Sequence, residues 1–174
     1  KQLVVLMNGT CGVRSEEGKG STFWVRFPLV HPPVPKRLSN EGEGESFLGF
    51  SMPISIVYIE DNDTNIELMQ SILSPYKNVK LLVAKTGENG IGLIKSISPD
   101  MILIDIDLPD MNGFEVCTQL QLEKELKNIP RVALSASAMQ SDIDQAFLVG
   151  FSEYVTKPIH IATFLNVLKR LTKA

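Results

Sequence analysis

The sequence predicts an α/β fold in which βα units surround a parallel sheet, and two alternating patterns in residues 53–174 support this prediction. Five short, mostly apolar runs have the composition of strands that are covered on both faces. They are ISIVYI (54–59), VKLLVA (79–84), MILID (101–105), RVALS (131–135) and EYVT (153–156). Between these runs, apolar residues recur every three or four positions, as they do in amphipathic helices. This alternation is typical of βαβ units.

The helical pattern is clearest in the last segment, where Ile161, Phe164, Leu165 and Leu168 form one apolar stripe. The same spacing predicts three earlier helices. Their apolar positions are Ile66, Met69 and Leu73; Ile91, Ile94 and Ile97; and Phe114, Cys117 and Leu120.

Helix ends carry signals of their own. Thr64 with Glu67, and Ser141 with Asp144, have the spacing of a capping box, in which two side chains satisfy free backbone donors of the first turn. Gly150 falls where a fourth helix should end. We therefore predict five βα units.

A change of composition near residue 28 divides the chain. Residues 1–29 are apolar and punctuated by glycine, whereas residues 30–52 are rich in Pro, Glu, Gly and Ser. The second segment cannot bury enough apolar surface to offset the entropy of ordering, so we predict a flexible linker there and a separate domain at 53–174. The chain begins with Lys1 inside an apolar pattern, and we expect it to be a fragment of a longer protein.

Composition narrows the functional classes. With 174 residues, 44% of them hydrophobic, the chain can bury one core and a smaller appendage. A formal net charge of −3 provides no basic field, and no apolar run approaches the roughly 18 residues that span a bilayer. Cys11 and Cys117 predict neither a disulfide framework nor a zinc site, which fits a reducing compartment. We expect no nucleic-acid partner and no membrane contact.

Polar residues collect at the carboxyl ends of the predicted strands, where open parallel sheets bind ligands. They are Glu60 and Asp61 after the first strand, Asp105 and Asp107 at the third, Ser135 at the fourth and Lys157 after the fifth. Carboxylates this close repel one another unless a cation offsets them, and Mg²⁺ suits such ligands. Lys157 would add a second positive charge and Ser135 a hydrogen-bond donor. The set therefore predicts a site that carries an acyl phosphate on one carboxylate.

Each of these residues also has an ordinary structural interpretation. The acidic pair after the first strand can open a helix, since acids are common there. Asp107 can be a loop acid, Ser135 a small residue in a tight place, and Lys157 simply exposed. Asp105 is the hardest to explain in this way, because an acid at the end of an apolar strand needs a partner for its charge. The coincidence of all of them at strand ends favours a site.

Four motifs at these positions resemble the receiver domain of response regulators in two-component and phosphorelay signalling: YIEDND, LIDIDLPDMNG, ALSA and EYVTKP. The resemblance covers about residues 53–174. It implies a flavodoxin-like, doubly wound (βα)₅ fold with strand order 2-1-3-4-5, and Asp105 as the phosphoacceptor. It also implies that Mg²⁺ is held by Glu60, Asp61, Asp105 and the backbone carbonyl of Asp107.

The same resemblance implies a switch. Lys157 would contact the phosphoryl group, Ser135 would swing toward it, and Tyr154 would change rotamer. The output face would comprise the fourth helix, the fifth strand and the fifth helix, and the bond from Lys157 to Pro158 would be cis. Asp107 lies at a position that tunes the lifetime of the phosphoryl group, in a direction that the sequence leaves open. The implied partners are a phosphohistidine donor, such as a histidine kinase core, and a histidine phosphotransfer protein.

The segment LMNGTCGVRSEEGKGSTFWVRFPL within residues 1–29 resembles the last helix and final hairpin of a histidine-kinase ATPase domain. The Asn-bearing helix and the ATP lid of that domain are missing here, so we expect neither ATP binding nor autokinase activity. Together the two resemblances suggest the tail of a hybrid sensor histidine kinase. We expect this fragment to be cytoplasmic, and the full-length parent kinase is a candidate for anchoring in the inner membrane. His31, within HPPVP, is expected to be a linker residue rather than a phosphodonor.

The sequence leaves two other functions open. A haloacid-dehalogenase-like phosphatase also has an apolar strand followed by Asp-x-Asp, with Asp105 as nucleophile and Asp107 as acid and base. Against it, the motif lies on the third predicted strand, and the acidic pair lies upstream of the motif rather than downstream. The other alternative is a receiver-like module that binds partners without being phosphorylated, and the complete set of site residues speaks against it.

Overall fold

The computed structural model describes Val4, residues 9–28 and residues 53–172. The chain divides into two compact units, Lys1–Glu43 and Gly44–Ala174. The predicted linker, 30–52, lies outside the described residues. Of the predicted helix end before the hairpin, only Val4 is described, and it is helical.

The first unit contains the predicted hairpin. Its strands are β1 (Thr10–Glu16) and β2 (Gly20–Arg26), which pair antiparallel from Thr10↔Arg26 to Glu16↔Gly20. Gly18 and Gly20 have positive φ angles of 77° and 102°, which glycine adopts without a steric penalty, so the turn between the strands is tight.

The sheet of the second unit contains five strands: β3 (Ile54–Ile59), β4 (Val79–Ala84), β5 (Met101–Asp105), β6 (Arg131–Ser135) and β7 (Glu153–Thr156). All neighbouring pairs are parallel, and the order is β4-β3-β5-β6-β7. Counted within this sheet, the order is 2-1-3-4-5, so the predicted flavodoxin-like topology is confirmed. Each strand has the predicted bounds, because a short apolar run between turn residues leaves little choice of register.

Helices cover both faces of the sheet. They are α1 (Asp63–Leu73), α2 (Gly87–Ile97), α3 (Gly113–Leu122), α4 (Gln140–Val149) and α5 (Ile161–Leu171). Successive residues of β3 enter two separate cores, as the period of two in a strand requires. Ile56 and Tyr58 pack with α1 and α5, whereas Val57 and Ile59 pack with α2, α3 and α4. The fold is therefore doubly wound.

The start of α1 differs from the prediction. The predicted capping box of Thr64 with Glu67 is wrong, because both residues lie inside the helix. Asn62 is the N-cap residue, and its Oδ1 accepts from the backbone N–H groups of Thr64 at 2.9 Å and Asn65 at 3.3 Å. Asparagine caps a helix at least as well as threonine, so the helix is capped by Asn62 rather than by Thr64.

The start of α4 also differs. The predicted capping box of Ser141 with Asp144 is wrong, because the N-cap residue is Met139, which forms no side-chain cap bond. Ser137, which lies before the helix, provides hydrogen bonds at its start instead. Its Oγ accepts from Met139 N at 3.2 Å and donates to Asp142 in the first turn at 2.5 Å. The helix therefore starts earlier than Ser141, inside a network that begins in the preceding loop.

Two other helix ends have clear local causes. A capping box that was not predicted from the sequence is present at α3, where the side chains of Asn112 and Glu115 accept hydrogen bonds from each other's backbone N–H groups. The predicted end of α4 at Gly150 is confirmed, since this glycine is left-handed with a φ of 102°. Within the parts of the chain that the structure describes, we find no helix with the length and apolar character needed to cross a membrane.

Two glycines of α2 provide a matched test of how closely this helix packs on β3. A Cβ atom at Gly90 would lie 2.3 Å from Ile59 Cδ1, whereas one at Gly92 would have no neighbour within 4 Å. We expect Gly90→Ala to lower the free energy of unfolding by about 1 to 3 kcal/mol through overpacking. Gly92→Ala should raise it by about 0.5 to 1 kcal/mol, because alanine loses less backbone entropy in a helix. Urea unfolding measures both values, and equal gains would contradict this packing.

Candidate functional site

The carboxyl ends of β3 and β5 bring three predicted acids together. The two strands are neighbours in register, with Ile59 opposite Ile104, so the residues that follow them reach the same edge of the sheet. One carboxylate oxygen from each of Glu60, Asp61 and Asp105 lies within 4.8 Å of the others. Glu60 and Asp105 are buried and Asp61 is exposed, so the cluster has an inner and an open side.

Glu60 is held by several donors. Its Oε2 accepts from the Tyr58 hydroxyl at 2.8 Å and from Lys157 Nζ at 2.8 Å, and its Oε1 accepts from Asn62 N at 3.2 Å. Burial alone would raise the pKa of Glu60, but the hydrogen bonds from Lys157 and Tyr58 outweigh it and lower the pKa below its usual value. Glu60 is therefore a charged residue at neutral pH, although it is fully buried.

Asp105 shares the same ammonium group. Lys157 Nζ lies 2.9 Å from Asp105 Oδ1, so one cation bridges two buried carboxylates. Burial raises the pKa of Asp105, the Lys157 ammonium opposes this rise, and the negative charge of Glu60 adds to it. The resulting pKa is about 6. Burial would lower the pKa of Lys157, yet its bonds to Asp105 and Glu60 raise it overall. The lysine remains charged, and its one charge is opposed by three carboxylates.

The donor set fits a hard divalent cation. Carboxylate oxygens are the ligands that Mg²⁺ takes in proteins, and the excess of negative charge in this cluster would be offset by a bound cation. The carboxylates that meet are those of Glu60, Asp61 and Asp105. Asp107 is exposed and pairs by an isolated antiparallel bridge with Asn112, so its side chain is not one of this group among the described residues.

Ser135 and Tyr154 are linked through one residue. Ser135 is buried at the end of β6, where its Oγ accepts from Ser137 N at 3.1 Å and its carbonyl accepts from Lys157 N at 2.7 Å. The half-buried Tyr154 donates its hydroxyl to the Ser137 carbonyl at 3.0 Å. The peptide bond between Lys157 and Pro158 is cis, as predicted. The loop after β6 is thus bonded to two of the predicted switch residues.

Comparisons with known proteins identify the family. A family model described as the response regulator receiver domain matches residues 56–169. The chain belongs to this family. It is 33% identical over 120 residues to the polar-differentiation response regulator DivK of Brucella anthropi, covering 68% of this chain and 95% of that protein. The chain therefore contains a receiver domain of two-component or phosphorelay signalling.

Solved structures are similar to this receiver domain over the same region. One is the phosphorylated cyanobacterial phytochrome response regulator RcpA, with 26% identity and a TM-score of 0.60, covering 68% of this chain and 91% of that one. Another is the receiver domain of Ssk1 from Saccharomyces cerevisiae, crystallised with the histidine phosphotransfer protein Ypd1. It has 25% identity and a TM-score of 0.64, and the match covers 70% of this chain and 90% of that one.

Three supporting residues of the receiver domain were missed by the sequence analysis. Tyr58 and Asn62 both donate to Glu60, and Ser137 connects Ser135 with Tyr154. Tyr58 had a visible signal, because it lies two positions before Glu60, and residues two apart in a strand share a face. Ser137 had none, since its role depends on contacts with other elements.

The pKa of Asp105 tests the electrostatics of the site directly. In metal-free protein we expect it at about 6. Lys157→Met should raise it further, because the variant removes the cation at 2.9 Å. Glu60→Gln should lower it, because a neighbouring negative charge is removed. Carbon-detected NMR titration of the Asp105 carboxyl group measures this pKa in wild type and in both variants. The two substitutions must shift the pKa in opposite directions, and shifts of the same sign would contradict this electrostatic arrangement.

Proposed function

We propose that this receiver domain accepts a phosphoryl group from a phosphohistidine donor onto Asp105, with Mg²⁺ bound at the neighbouring carboxylates. The observation that carries the proposal is the placement of Asp105. Its buried carboxylate is 2.9 Å from the Lys157 ammonium and lies in one cluster with Glu60 and Asp61.

Asp105 is suited to act as the nucleophile. In the metal-free protein its pKa of about 6 leaves most of the carboxylate ionised at neutral pH, as a carboxylate nucleophile must be. A carboxylate oxygen attacks phosphorus, a P–O bond forms, and the P–N bond to the donor imidazole breaks. The second ring nitrogen of the phosphohistidine carries a proton, so the departing nitrogen keeps the electron pair and the donor leaves as neutral imidazole.

Lys157 and the acidic pair provide the electrostatic setting for this transfer. Lys157 Nζ is already beside the acceptor oxygen, where it can neutralise charge on an incoming phosphoryl oxygen. Glu60, Asp61 and Asp105 would hold Mg²⁺, together with the predicted backbone carbonyl of Asp107. When bound, Mg²⁺ supplies charge neutralisation at the phosphoryl oxygens.

The output of the domain involves Ser135 and Tyr154. Turning Ser135 Oγ toward a phosphoryl group on Asp105 breaks its 3.1 Å bond with Ser137 N. Because Tyr154 bonds the carbonyl of the same Ser137, its rotamer is coupled to this change. The face formed by α4, β7 and α5 then differs between the two states, and this difference is read by a partner.

The relatives support a phosphorelay role. RcpA has been crystallised in a phosphorylated form, and the Ssk1 receiver domain binds a histidine phosphotransfer protein. The donor for this chain is accordingly a phosphohistidine of a kinase core, and onward transfer is to a histidine phosphotransfer protein. The hairpin supports a hybrid histidine kinase as the parent, and free Cys11 and Cys117 support a cytoplasmic location.

The alternatives have less support. A haloacid-dehalogenase-like phosphatase would use Asp107 as acid and base beside Asp105, but the exposed Asp107 is outside the carboxylate cluster of the described residues. A binding module without phosphorylation would have no use for a buried acid that shares a lysine with a second acid, since such groups are costly to bury.

Phosphorylation of Asp105 is tested by labelling with a small acyl phosphate in the presence of Mg²⁺. We expect wild type to acquire one phosphoryl group per chain, Asp105→Asn to acquire none, and Asp107→Asn to remain labelled with an altered decay rate. Intact-mass spectrometry measures the label directly. Label that persists in Asp105→Asn would overturn the proposal, and multiple turnovers on a phosphomonoester would favour the phosphatase.

The metal requirement has its own matched pair of variants. Asp61→Asn should weaken Mg²⁺ binding by about 10- to 100-fold, the usual effect of disturbing a metal site. Asp63→Asn removes the same charge two residues away, from an exposed pair with Lys85, and should bind Mg²⁺ like wild type. Calorimetric titration gives both affinities, and EDTA should abolish labelling of wild type. Equal effects of the two substitutions would mean that only general charge matters.

A further inference from the structure

The loop between β5 and α3, residues 106–112, is closed at its base. Gly113 N donates to the Ile106 carbonyl at 2.9 Å, and Asp107 pairs with Asn112 across the loop. Asn112 is itself fixed by its capping box with Glu115. The loop begins one residue after Asp105, so its conformation determines where the backbone of Asp107 lies relative to the acceptor.

The tip of this loop is anchored to a different helix. Asp110 Oδ1 accepts from Gly87 N at 2.8 Å, and Oδ2 accepts from Glu88 N at 3.0 Å. These are free N–H groups in the first turn of α2, which also carries the positive end of the helix dipole. Hydrogen bonds from the backbone N–H group of Glu88, which has the larger effect, and from that of Gly87 lower the pKa of Asp110 below its usual value. An exposed carboxylate is therefore held by two charge-assisted bonds from residues more than twenty positions away.

An apolar contact reinforces the anchor. A Cβ atom at Gly87 would lie 2.5 Å from Met111 Cγ, so the side chain next to Asp110 lies directly on the helix backbone. Asp110 and Met111 thus fix the loop tip to the same turn of α2, one by polar and one by van der Waals contact.

Helix α2 in turn is packed tightly against the strand that leads to the acidic pair. A Cβ atom at Gly90 would lie 2.3 Å from Ile59 Cδ1, and Ile59 immediately precedes Glu60. The N-terminal turns of α2 therefore touch the loop 106–112 at Gly87 and the end of β3 at Gly90. Because packed elements move as rigid bodies, this helix links the loop that follows Asp105 with the strand that carries Glu60.

We infer that Asp110 is a positioning residue for phosphoryl transfer: by capping α2, it holds the loop after Asp105 at a set distance from Glu60 and Asp61. The inference rests on the proposed function, because the quantity that it controls is the geometry of the proposed metal and phosphoryl site. Asp110 touches neither group itself. A residue that only stabilised α2 would change the melting temperature and leave the site unaltered.

The same helix provides the control. Thr86 also caps α2, through a bond from Asn89 N to Thr86 Oγ1 at 3.2 Å, which joins the helix only to its own N-cap residue. Thr86→Ala and Asp110→Ala therefore both weaken one helix N-terminus, but only the second releases the loop. Asp110→Asn keeps one acceptor oxygen and serves as the conservative variant.

Three measurements are made on the full chain. We expect Asp110→Ala to weaken Mg²⁺ binding in calorimetry by about tenfold, as loss of an outer positioning group does, and to slow labelling of Asp105 by a small acyl phosphate by a similar factor. Asp110→Asn should fall between Asp110→Ala and wild type, and Thr86→Ala should match wild type. In hydrogen–deuterium exchange without metal, Asp110→Ala should speed exchange at Gly87, Glu88 and residues 106–113, whereas Thr86→Ala should act mainly at Asn89.

The outcomes separate the two proposals. If wild type binds Mg²⁺ and is labelled, but Asp110→Ala behaves like Thr86→Ala, the role of Asp110 is overturned and the proposed function stands. If wild type neither binds Mg²⁺ nor is labelled, the proposed function fails and this inference fails with it. Thermal unfolding reports whether each variant is folded. If Asp110→Ala is unfolded, Asp110→Asn decides the question, and wild-type values for it would overturn the inference.

Discussion

The site depends on one partly buried ammonium group between two buried carboxylates. Lys157 Nζ lies 2.8 Å from Glu60 and 2.9 Å from Asp105, and removing it would leave two buried negative charges without their shared cation. Lys157 follows Glu60 by 97 positions, so the contact exists only when the strands between them have assembled in order. The charge balance of the site is therefore a property of the completed sheet. The same balance leaves Asp105 with a raised pKa and a cation beside it.

The acidic pair after β3 divides two tasks between adjacent residues. Glu60 is buried and fixed by Tyr58, Asn62 and Lys157, so it cannot adapt to a ligand without breaking several bonds. Asp61 is exposed and free to approach a cation from the open side of the cluster. If a cation binds here, rigid inner ligands would set its geometry, and an open outer ligand would give access from solvent. This arrangement suits Mg²⁺, which demands near-ideal geometry but keeps several of its waters.

Close backbone approaches keep the loop 106–112 in place. A Cβ atom at Gly113 would lie 2.4 Å from the Asp105 carbonyl oxygen, so the start of α3 reaches the backbone of Asp105 only because residue 113 is glycine. On the other side, Met111 occupies the space above Gly87. The loop is thus enclosed by two helices at two glycines, and these contacts would favour one conformation of the loop during the proposed phosphoryl transfer.

The sequence was sufficient to predict the strands, their parallel arrangement and the set of polar residues at their carboxyl ends. Apolar β-branched runs between turn residues have one stable environment, so the bounds of all five strands could be predicted. It did not determine where α1 and α4 start, because several nearby residues can cap a helix and the competition is decided by neighbouring contacts. Nor could it show that Lys157 bridges Glu60 and Asp105, or that Asp110 reaches the N-terminus of α2. Those facts are contacts between elements far apart in the chain. They are visible only in the folded protein, because hydrogen bonds and ion pairs act over a few ångströms in space regardless of distance along the sequence.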